Sequence, residues 1–233
     1  MTPGHDNRNK RKVLFLSFSS IIMASSTLSH PPKPHNICNR PIPYLIITNI
    51  SKRQNIKNLL QLAAAYGCST IFVVGQRAFQ FDVDDIESTA DGDGGDESRS
   101  SDIPPMLQNG IRNGKMKIVK FDKLEECVQH IKSIPCNDTS SSSDSKKTTT
   151  IPILGVEIDN ASINLEEEPF TSSTAFMMGN EGSGMTKKQM SVCDGFIRIS
   201  QYGGGTASLN VSVAAALVLH RFHHWSRKVS EVS

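Results

Sequence analysis

The chain has 233 residues, of which 37% are hydrophobic, and its formal net charge is +2. This length fits one domain with tails, and the modest hydrophobic fraction indicates that part of the chain lies outside a packed core. The net charge is too small to identify a polyanion-binding protein, and no apolar stretch is long enough to span a bilayer. The five cysteines lack metal-type or disulfide-type spacing, which indicates reduced thiols.

Residues 1–41 are predicted to be a disordered tail or a transit peptide. Residues 8–12 are basic, Val13–Ala24 is mostly apolar, and Ser25–Thr27 is a run of small residues. This order is typical of an organelle transit peptide, but an untargeted extension with Met23 as an alternative start explains it equally well. We therefore expect an intracellular protein, located in the cytoplasm or nucleus, or in a plastid or mitochondrion if the tail is a transit peptide.

Strands and helices are predicted to alternate along the rest of the chain. The predicted strands are apolar, β-branched runs, and the predicted helices have apolar residues three and four positions apart. The strands are Pro43–Ile50, Ser69–Val74, Lys117–Phe121, Ile151–Ile158, Ser173–Met178 and Phe196–Ile199, and the helices are Ser51–Tyr66, Leu124–Ile134, Thr186–Val192 and Leu209–His224. This alternation predicts an α/β fold with a largely parallel sheet.

Two polar segments interrupt the alternation. Residues 82–102 are acidic and rich in Gly and Ser, and residues 137–150 are also of low complexity. Such compositions cannot bury enough apolar surface to fold, so both segments are predicted to be disordered inserts in surface loops. The folded domain is predicted to span residues 42–225, followed by a C-terminal tail at 226–233.

The first candidate site is the loop Gly179-Asn180-Glu181-Gly182-Ser183-Gly184, which follows a predicted strand. Glycine lets backbone amides approach a ligand closely, so this loop could hold a cofactor through its main chain, although a simple tight turn explains it too. It is not a phosphate-binding P-loop, because Met185 and Thr186 separate it from Lys187. It is also not a clean dinucleotide fingerprint, which lies near the start of a βαβ unit and is followed by an acidic residue about twenty positions on, and Gly203–Gly205 fails the same test.

The second candidate site is Ser208-Leu209-Asn210, at the start of the last predicted helix. Thr206 or Ser208 could serve simply as the N-cap of that helix. A helix start that carries Ser and Asn could also bind an anion or a polar ligand.

The third candidate site contains Lys52, Arg53 and Lys57, at a junction between a strand and a helix. Cations among amide side chains at a helix start could hold RNA phosphates. A solvated first turn explains the same pattern.

Two further clusters are not predicted to be functional sites. His220, His223 and His224 have helical spacing that could bind a metal, but no Cys or carboxylate stands nearby in the sequence, so we expect no metal site. Glu166–Glu168 precedes a proline and is predicted to be a solvated charge run.

Taken together, the three candidate stretches resemble the three motifs of the SpoU-type (TrmH-like) RNA 2′-O-ribose methyltransferases, a family of the SPOUT class. Phe176–Met185 matches the glycine-loop motif, Ile199 and residues 208–215 match the last motif, and Asn55-Ile56 matches the start of the first. The resemblance covers residues 42–225 without the two inserts.

This resemblance implies an α/β fold with helices on both faces of a largely parallel sheet and a C-terminal deep trefoil knot (SPOUT). It also implies a homodimer that binds S-adenosylmethionine in the knot and methylates a ribose 2′-hydroxyl of tRNA or rRNA. By motif position, the residues implied to lie at the cofactor are Gly155, Val156, Glu157, Gly179, Ile199 and Leu209. Those implied to support or perform catalysis are Asn55, Gln61, Glu181, Ser208 and Asn210.

The first motif departs from the family pattern. Its usual Gly is Lys57, and its usual Arg, which is thought to handle the phosphate and the hydroxyl proton, is Gln61. Glutamine can donate and accept hydrogen bonds but has no charge. The sequence therefore allows two main hypotheses: an active S-adenosylmethionine-dependent RNA 2′-O-methyltransferase, or a catalytically weak or inactive knotted RNA-binding protein that keeps the cofactor pocket. A third, weaker hypothesis is a methyltransferase that acts on a base or a protein.

Overall fold

The computed structural model describes residues 40–76, 79, 103–135, 150–203 and 208–232. Most of the predicted N-terminal tail and of both predicted inserts therefore lies outside the described residues. Residues 204–207, which include most of the second glycine run, also lie outside them.

Seven strands form one sheet in the described part of the chain. They are β1 (Pro43–Thr48), β2 (Thr70–Val74), β3 (Lys117–Phe121), β4 (Ile153–Val156), β5 (Ile163–Asn164), β6 (Thr174–Met178) and β7 (Gly195–Arg198). Their order is β3-β2-β1-β6-β4-β7-β5, and each neighbouring pair is parallel. The strand order reverses direction between β1 and β6, and ligands often bind at such switch points.

Helices cover both faces of this sheet. They are α1 (Arg53–Ala65), α2 (Pro105–Arg112), α3 (Leu124–Ser133), α4 (Lys187–Met190) and α5 (Val211–Val232). Leu45 and Ile47 of β1 pack with α1, α2 and α5 on one face, while the alternate residues Tyr44 and Ile46 pack with α3 on the other. The predicted α/β class, parallel sheet and two helical layers are confirmed.

The structure contains two elements that the sequence pattern did not reveal. The helix α2 has only Leu107 and Ile111 buried, and β5 has two residues, so neither shows enough periodicity to be recognised.

The last helix is longer than predicted. It continues past His224 to Val232, so the described part of the predicted tail at 226–233 is helical. No Pro or Gly ends it, and Arg40 Nε donates a hydrogen bond to Ser226 Oγ at 3.1 Å. No helix in the described residues is both long and apolar enough to cross a membrane.

The cysteines that the structure describes, Cys68, Cys127 and Cys193, are free thiols. Burial raises the pKa of each thiol to about 12, with a further contribution from Asp194 at Cys193. These thiols are therefore protonated at neutral pH and unreactive as nucleophiles.

An aromatic cluster fixes α5 against the sheet, and its removal should be costly. Phe222 is fully buried, and the centroid of its ring lies 5.2 to 5.4 Å from the ring centroids of Phe170, Phe176 and Trp225. We expect Phe222→Ala to lower the free energy of unfolding by about 3–5 kcal/mol, because it leaves a cavity that the core fills only partly. Denaturant titration measures this. Met106→Ala, at a side chain 71% exposed, is the control, and an equal loss in both variants would contradict the expectation.

Candidate active site

Three neighbouring strands end at one edge of the sheet, and a candidate residue follows each end. Glu157 follows β4, Gly179 follows β6 and Ile199 follows β7. Together with the start of α5, these ends enclose a cavity of about 410 Å³. Open α/β sheets bind ligands outside the carboxyl ends of their strands, and this volume is within the range of small-molecule sites.

Most of the predicted cofactor residues line this cavity, namely Val156, Glu157, Gly179, Ile199 and Leu209. Gly155 is not among the lining residues. A Cβ atom at this position would lie 2.8 Å from the Phe196 ring and 2.9 Å from Met185 Sδ. Gly155 therefore allows these side chains to pack against the sheet, one residue behind the cavity.

The glycine loop that follows β6 folds around the carboxylate of Glu157. Glu157 Oε2 accepts a hydrogen bond from Met185 N at 2.7 Å, and Oε1 accepts one from Ile158 N at 3.1 Å. Gly184 has φ +67°, and a Cβ there would lie 2.6 Å from Glu157 Oε2. The loop is therefore a tight turn, as one interpretation held, and it also forms a wall of the cavity.

The next carboxylate, Glu181, joins this loop to the start of α1. Its two oxygens accept hydrogen bonds from Ser51 N at 3.1 Å, Lys52 N at 3.3 Å and Asn55 Nδ2 at 2.6 Å. Asn180 Nδ2 donates to Asn49 O at 2.7 Å, which adds a second connection. The first and second motif stretches are thus held together by side-chain hydrogen bonds.

These bonds also set the charge state of Glu181. Partial burial by itself would raise the pKa of this carboxyl. The hydrogen bonds from Asn55 and from the backbone of Ser51 and Lys52 outweigh it and hold the pKa below its usual value. Glu181 is therefore an anion at neutral pH.

Asn210 extends the same network to the third stretch. Its Nδ2 donates to Asn55 Oδ1 at 3.4 Å, and its Oδ1 accepts from Ser212 N at 2.8 Å. Asn210 thus caps the N-terminus of α5, a role that the sequence allowed for Ser208 or Thr206. Thr206 lies outside the described residues. Ser208 lines the cavity instead. A continuous chain of contacts therefore runs from Glu181 through Asn55 to Asn210.

The other predicted site residues of the first motif stretch do not line the cavity. Gln61 is exposed, its Nε2 atom is 3.9 Å from Met106 Sδ, and it does not line the cavity. Lys52 and Arg53 are exposed and Lys57 is half-buried at the start of α1, beside Asn55. The structure thus does not bring Gln61 together with the other predicted catalytic residues.

The glutamate run was predicted to be solvated, and for Glu168 this is wrong. Its side chain is 19% exposed and lies 3.1 Å from Arg221 Nε and 3.3 Å from Lys228 Nζ. The loop before β6 folds back onto α5, a contact between distant segments that local composition cannot reveal.

The described residues contain no group of three or more His, Cys, Asp or Glu side chains that could hold a metal ion. His223, at which the sequence allowed a metal site, has its Nδ1 atom 3.1 Å from Arg40 Nη2.

Arg198, the last residue of β7, is the charged residue among the cavity residues that the sequence did not predict. Its Nε donates to Asn164 Oδ1 at 2.9 Å. The available signal was its position immediately before Ile199, at a strand end that was already predicted to meet the cofactor.

The fold is of the parallel α/β class, and its cavity lies at the carboxyl ends of the strands. Residues 112–220, slightly less than half of the chain, match the model of the SpoU rRNA Methylase family. The matched range includes the second and third motif stretches, whereas the first, with Asn55 and Gln61, precedes it.

Two curated relatives are named as RNA methyltransferases. A Staphylococcus aureus protein named for the TrmH family of tRNA/rRNA methyltransferases is 31% identical over 107 residues, which are 45% of this chain and 42% of that protein. The tRNA (guanosine(18)-2′-O)-methyltransferase of Aquifex aeolicus is 28% identical over 114 residues, 49% of this chain and 48% of that protein. The chain thus aligns with less than half the length of these relatives.

Solved structures share the fold. The SpoU methyltransferase AviRb from Streptomyces viridochromogenes superposes with a TM-score of 0.56 at 16% identity, covering 82% of this chain and 62% of that one. A second structure of AviRb is a complex with AdoMet (S-adenosylmethionine) and has a TM-score of 0.55 at 17% identity, covering 82% and 60%. The TrmH/SpoU enzyme of A. aeolicus has a TM-score of 0.53 at 18% identity, covering 82% and 77%.

The glycine loop offers a direct test of the site's construction. We expect Gly184→Ala to lower stability by about 1–3 kcal/mol, because the side chain would be strained at φ +67° and would displace the Glu157 carboxylate. Gly182→Ala in the same loop is the matched control, since its Cβ would meet only Asn180 Oδ1, at 3.7 Å. Thermal or urea unfolding of both variants measures the difference. Equal stability of the two would argue against this loop conformation.

Proposed function

We propose that the chain is an S-adenosylmethionine-dependent methyltransferase that acts on a ribose 2′-hydroxyl of tRNA or rRNA. The observation that carries this proposal is the chain of hydrogen bonds Glu181–Asn55–Asn210, which joins all three motif stretches beside one cavity. The match to the SpoU family model, the names of the curated relatives and the AdoMet complex of a structural neighbour support it.

The cavity suits this cofactor in shape and charge. The glycine loop packs closely around the Glu157 carboxylate and forms part of the lining, which also includes the two acidic residues Glu157 and Glu181. S-adenosylmethionine would supply an electrophilic methyl group on a positively charged sulfur, which nearby carboxylates favour. In this proposal, Gly179, Ile199 and Leu209 hold the cofactor.

The residues at the start of α1 would place the RNA. Asn55 is only 5% exposed and is held from both sides, by Glu181 and by Asn210, so its amide is fixed in orientation. We propose that it orients the target ribose, while Lys52, Arg53 and Lys57 contact phosphates. Holding a hydroxyl in line with a methyl donor can supply much of a rate enhancement by itself.

The alternative is a catalytically weak RNA-binding protein that retains the cofactor pocket. Gln61, in place of the family's usual Arg, is uncharged and lies outside the cavity lining, and this observation favours the alternative. Glu181 is a poor proton acceptor, because its oxygens already accept three hydrogen bonds that stabilise the anion.

A methyl-transfer assay decides between these functions. We expect tritium from labelled S-adenosylmethionine to enter bulk tRNA or rRNA, and nuclease digestion to release a 2′-O-methylated nucleoside. Asn210→Ala, which removes the cap of α5 and the contact to Asn55, should lower the rate by about 10²-fold or more through misplacement of the ribose.

Gln61→Arg separates the two hypotheses. A rate close to that of wild type in this variant supports an active native enzyme. Cofactor binding without any wild-type methyl transfer, together with activity gained in Gln61→Arg, would support the alternative. Incorporation into a base instead of ribose would contradict both.

We further propose that the C-terminal segment forms the trefoil knot and that the protein is a homodimer. Two apolar side chains one turn apart on α5, Val213 and Leu217, are 48% and 43% exposed and would suit an interface between two copies. A crystal structure in which the segment leading into α5 passes through no chain loop would rule out the knot.

Mutation of this α5 surface tests the dimer. Wild type should have twice the chain mass of 25.5 kDa in light scattering. The double variant Val213→Asp, Leu217→Asp should be monomeric, because charges buried without partners destabilise an interface. Met106→Asp, at an apolar side chain that is 71% exposed on α2, should remain dimeric. A monomeric wild type would disprove this part of the proposal.

A further inference from the structure

Arg198 stands out among the residues that line the cavity. Among the described residues that line the cavity, Arg198 is the only Lys or Arg. The other charged residues of the lining are Glu157 and Glu181. It is half-buried at the end of β7, and Asn164 lies opposite it on β5. A cation placed at this point can interact with a ligand in the cavity.

Both carboxylates of the lining are already engaged elsewhere. Glu157 accepts hydrogen bonds from Met185 N and Ile158 N, and Glu181 accepts from the start of α1. In the part of the chain that the structure describes, neither forms an ion pair with Arg198. Arg198 therefore forms no ion pair with a described residue, and the Glu166 carboxylate is connected to it only through Ser200 Oγ, which bonds both Asn164 Oδ1 and Glu166 Oε2.

The guanidinium group is nevertheless held in place. Its Nε donates to Asn164 Oδ1 at 2.9 Å, and the same oxygen accepts from Ser200 Oγ at 3.1 Å. A guanidinium has five N–H donors, so the four on its two Nη atoms stay available with respect to the described residues. A fixed guanidinium with free donors is well suited to bind a planar or tetrahedral oxyanion.

We propose that Arg198 is the oxyanion-binding residue of this cavity. Naming the anion rests on the proposed function, under which it is either the α-carboxylate of the cofactor or a phosphate of the RNA. In both cases Arg198, at the end of β7, supplies a positive charge to the site. Gln61 on α1, which stands where the family usually has an Arg, supplies none.

A phosphate titration tests the anion site without cofactor or RNA. We expect inorganic phosphate to shift the Nε–Hε NMR resonance of Arg198, assigned through Arg198→Gln, in a saturable manner. Arg112 is the control, because it is also bonded to an amide oxygen, that of Asn109 at 3.3 Å, but lies on α2 outside the cavity lining. No shift at Arg198, or an equal shift at Arg112, would overturn the proposal.

Ligand binding by wild type, Arg198→Gln and Arg198→Lys then identifies the anion. If it is the cofactor carboxylate, Arg198→Gln should weaken S-adenosylmethionine binding about tenfold or more, and binding of 5′-methylthioadenosine, which lacks the carboxylate, should not change. If it is an RNA phosphate, RNA affinity should fall and the slope of log K against log salt should decrease by about 1.

Arg198→Lys should keep part of the affinity, since it keeps the charge but loses the paired donors. Unchanged binding of all three ligands by Arg198→Gln would contradict the proposed role. A wild-type chain that binds neither S-adenosylmethionine nor 5′-methylthioadenosine would instead contradict the proposed function, and the phosphate titration would still decide the role of Arg198.

Discussion

The carboxylate of Glu181 connects the two halves of the sheet at the point where strand order reverses. It lies in the loop after β6, and its hydrogen bonds reach Ser51, Lys52 and Asn55, which follow β1. Backbone donors at the start of α1 have no partner within the helix, so a carboxylate there is favoured by hydrogen bonding and by the helix dipole. The depressed pKa of Glu181 expresses the same stabilisation. Because Asn55 also contacts Asn210, the position of α5 depends on this carboxylate as well.

Glu157 plays a similar role for the glycine loop itself. Its carboxylate occupies the space that Cβ atoms at Gly179 and Gly184 would need, and it accepts a hydrogen bond from the backbone of Met185. Gly179 and Gly184 are therefore required by a close approach within the protein, whatever the loop binds. The two carboxylates of the cavity thus shape the site before they interact with anything bound in it.

The alternation of strands and helices was sufficient to predict a parallel sheet and six of the seven strands that the structure describes. The family resemblance implied that Glu157, Gly179 and Ile199 belong to one site, and the structure places them after the ends of three neighbouring strands. The pairing of Asn55 with Glu181 could not be predicted in the same way, because 126 residues separate them and no local pattern specifies such a contact. The same holds for Glu168, which pairs with α5 through a fold-back of the chain, and for Arg198, whose neighbours come from β5.

The distribution of charge around the cavity bears on how the proposed reaction could proceed. A hydroxyl that attacks a methyl group must lose a proton, but Glu181 is stabilised as an anion by its donors and Gln61 has no charge. The described site is thus better equipped to orient its ligands than to accept a proton. Arg198 is anchored through its Nε, so its Nη donors are positioned before binding, while Asn55 is held between Glu181 and Asn210 behind the lining. Preorganised donors of this kind cost little reorganisation when a ligand binds, so under the proposed function the site would act mainly by alignment.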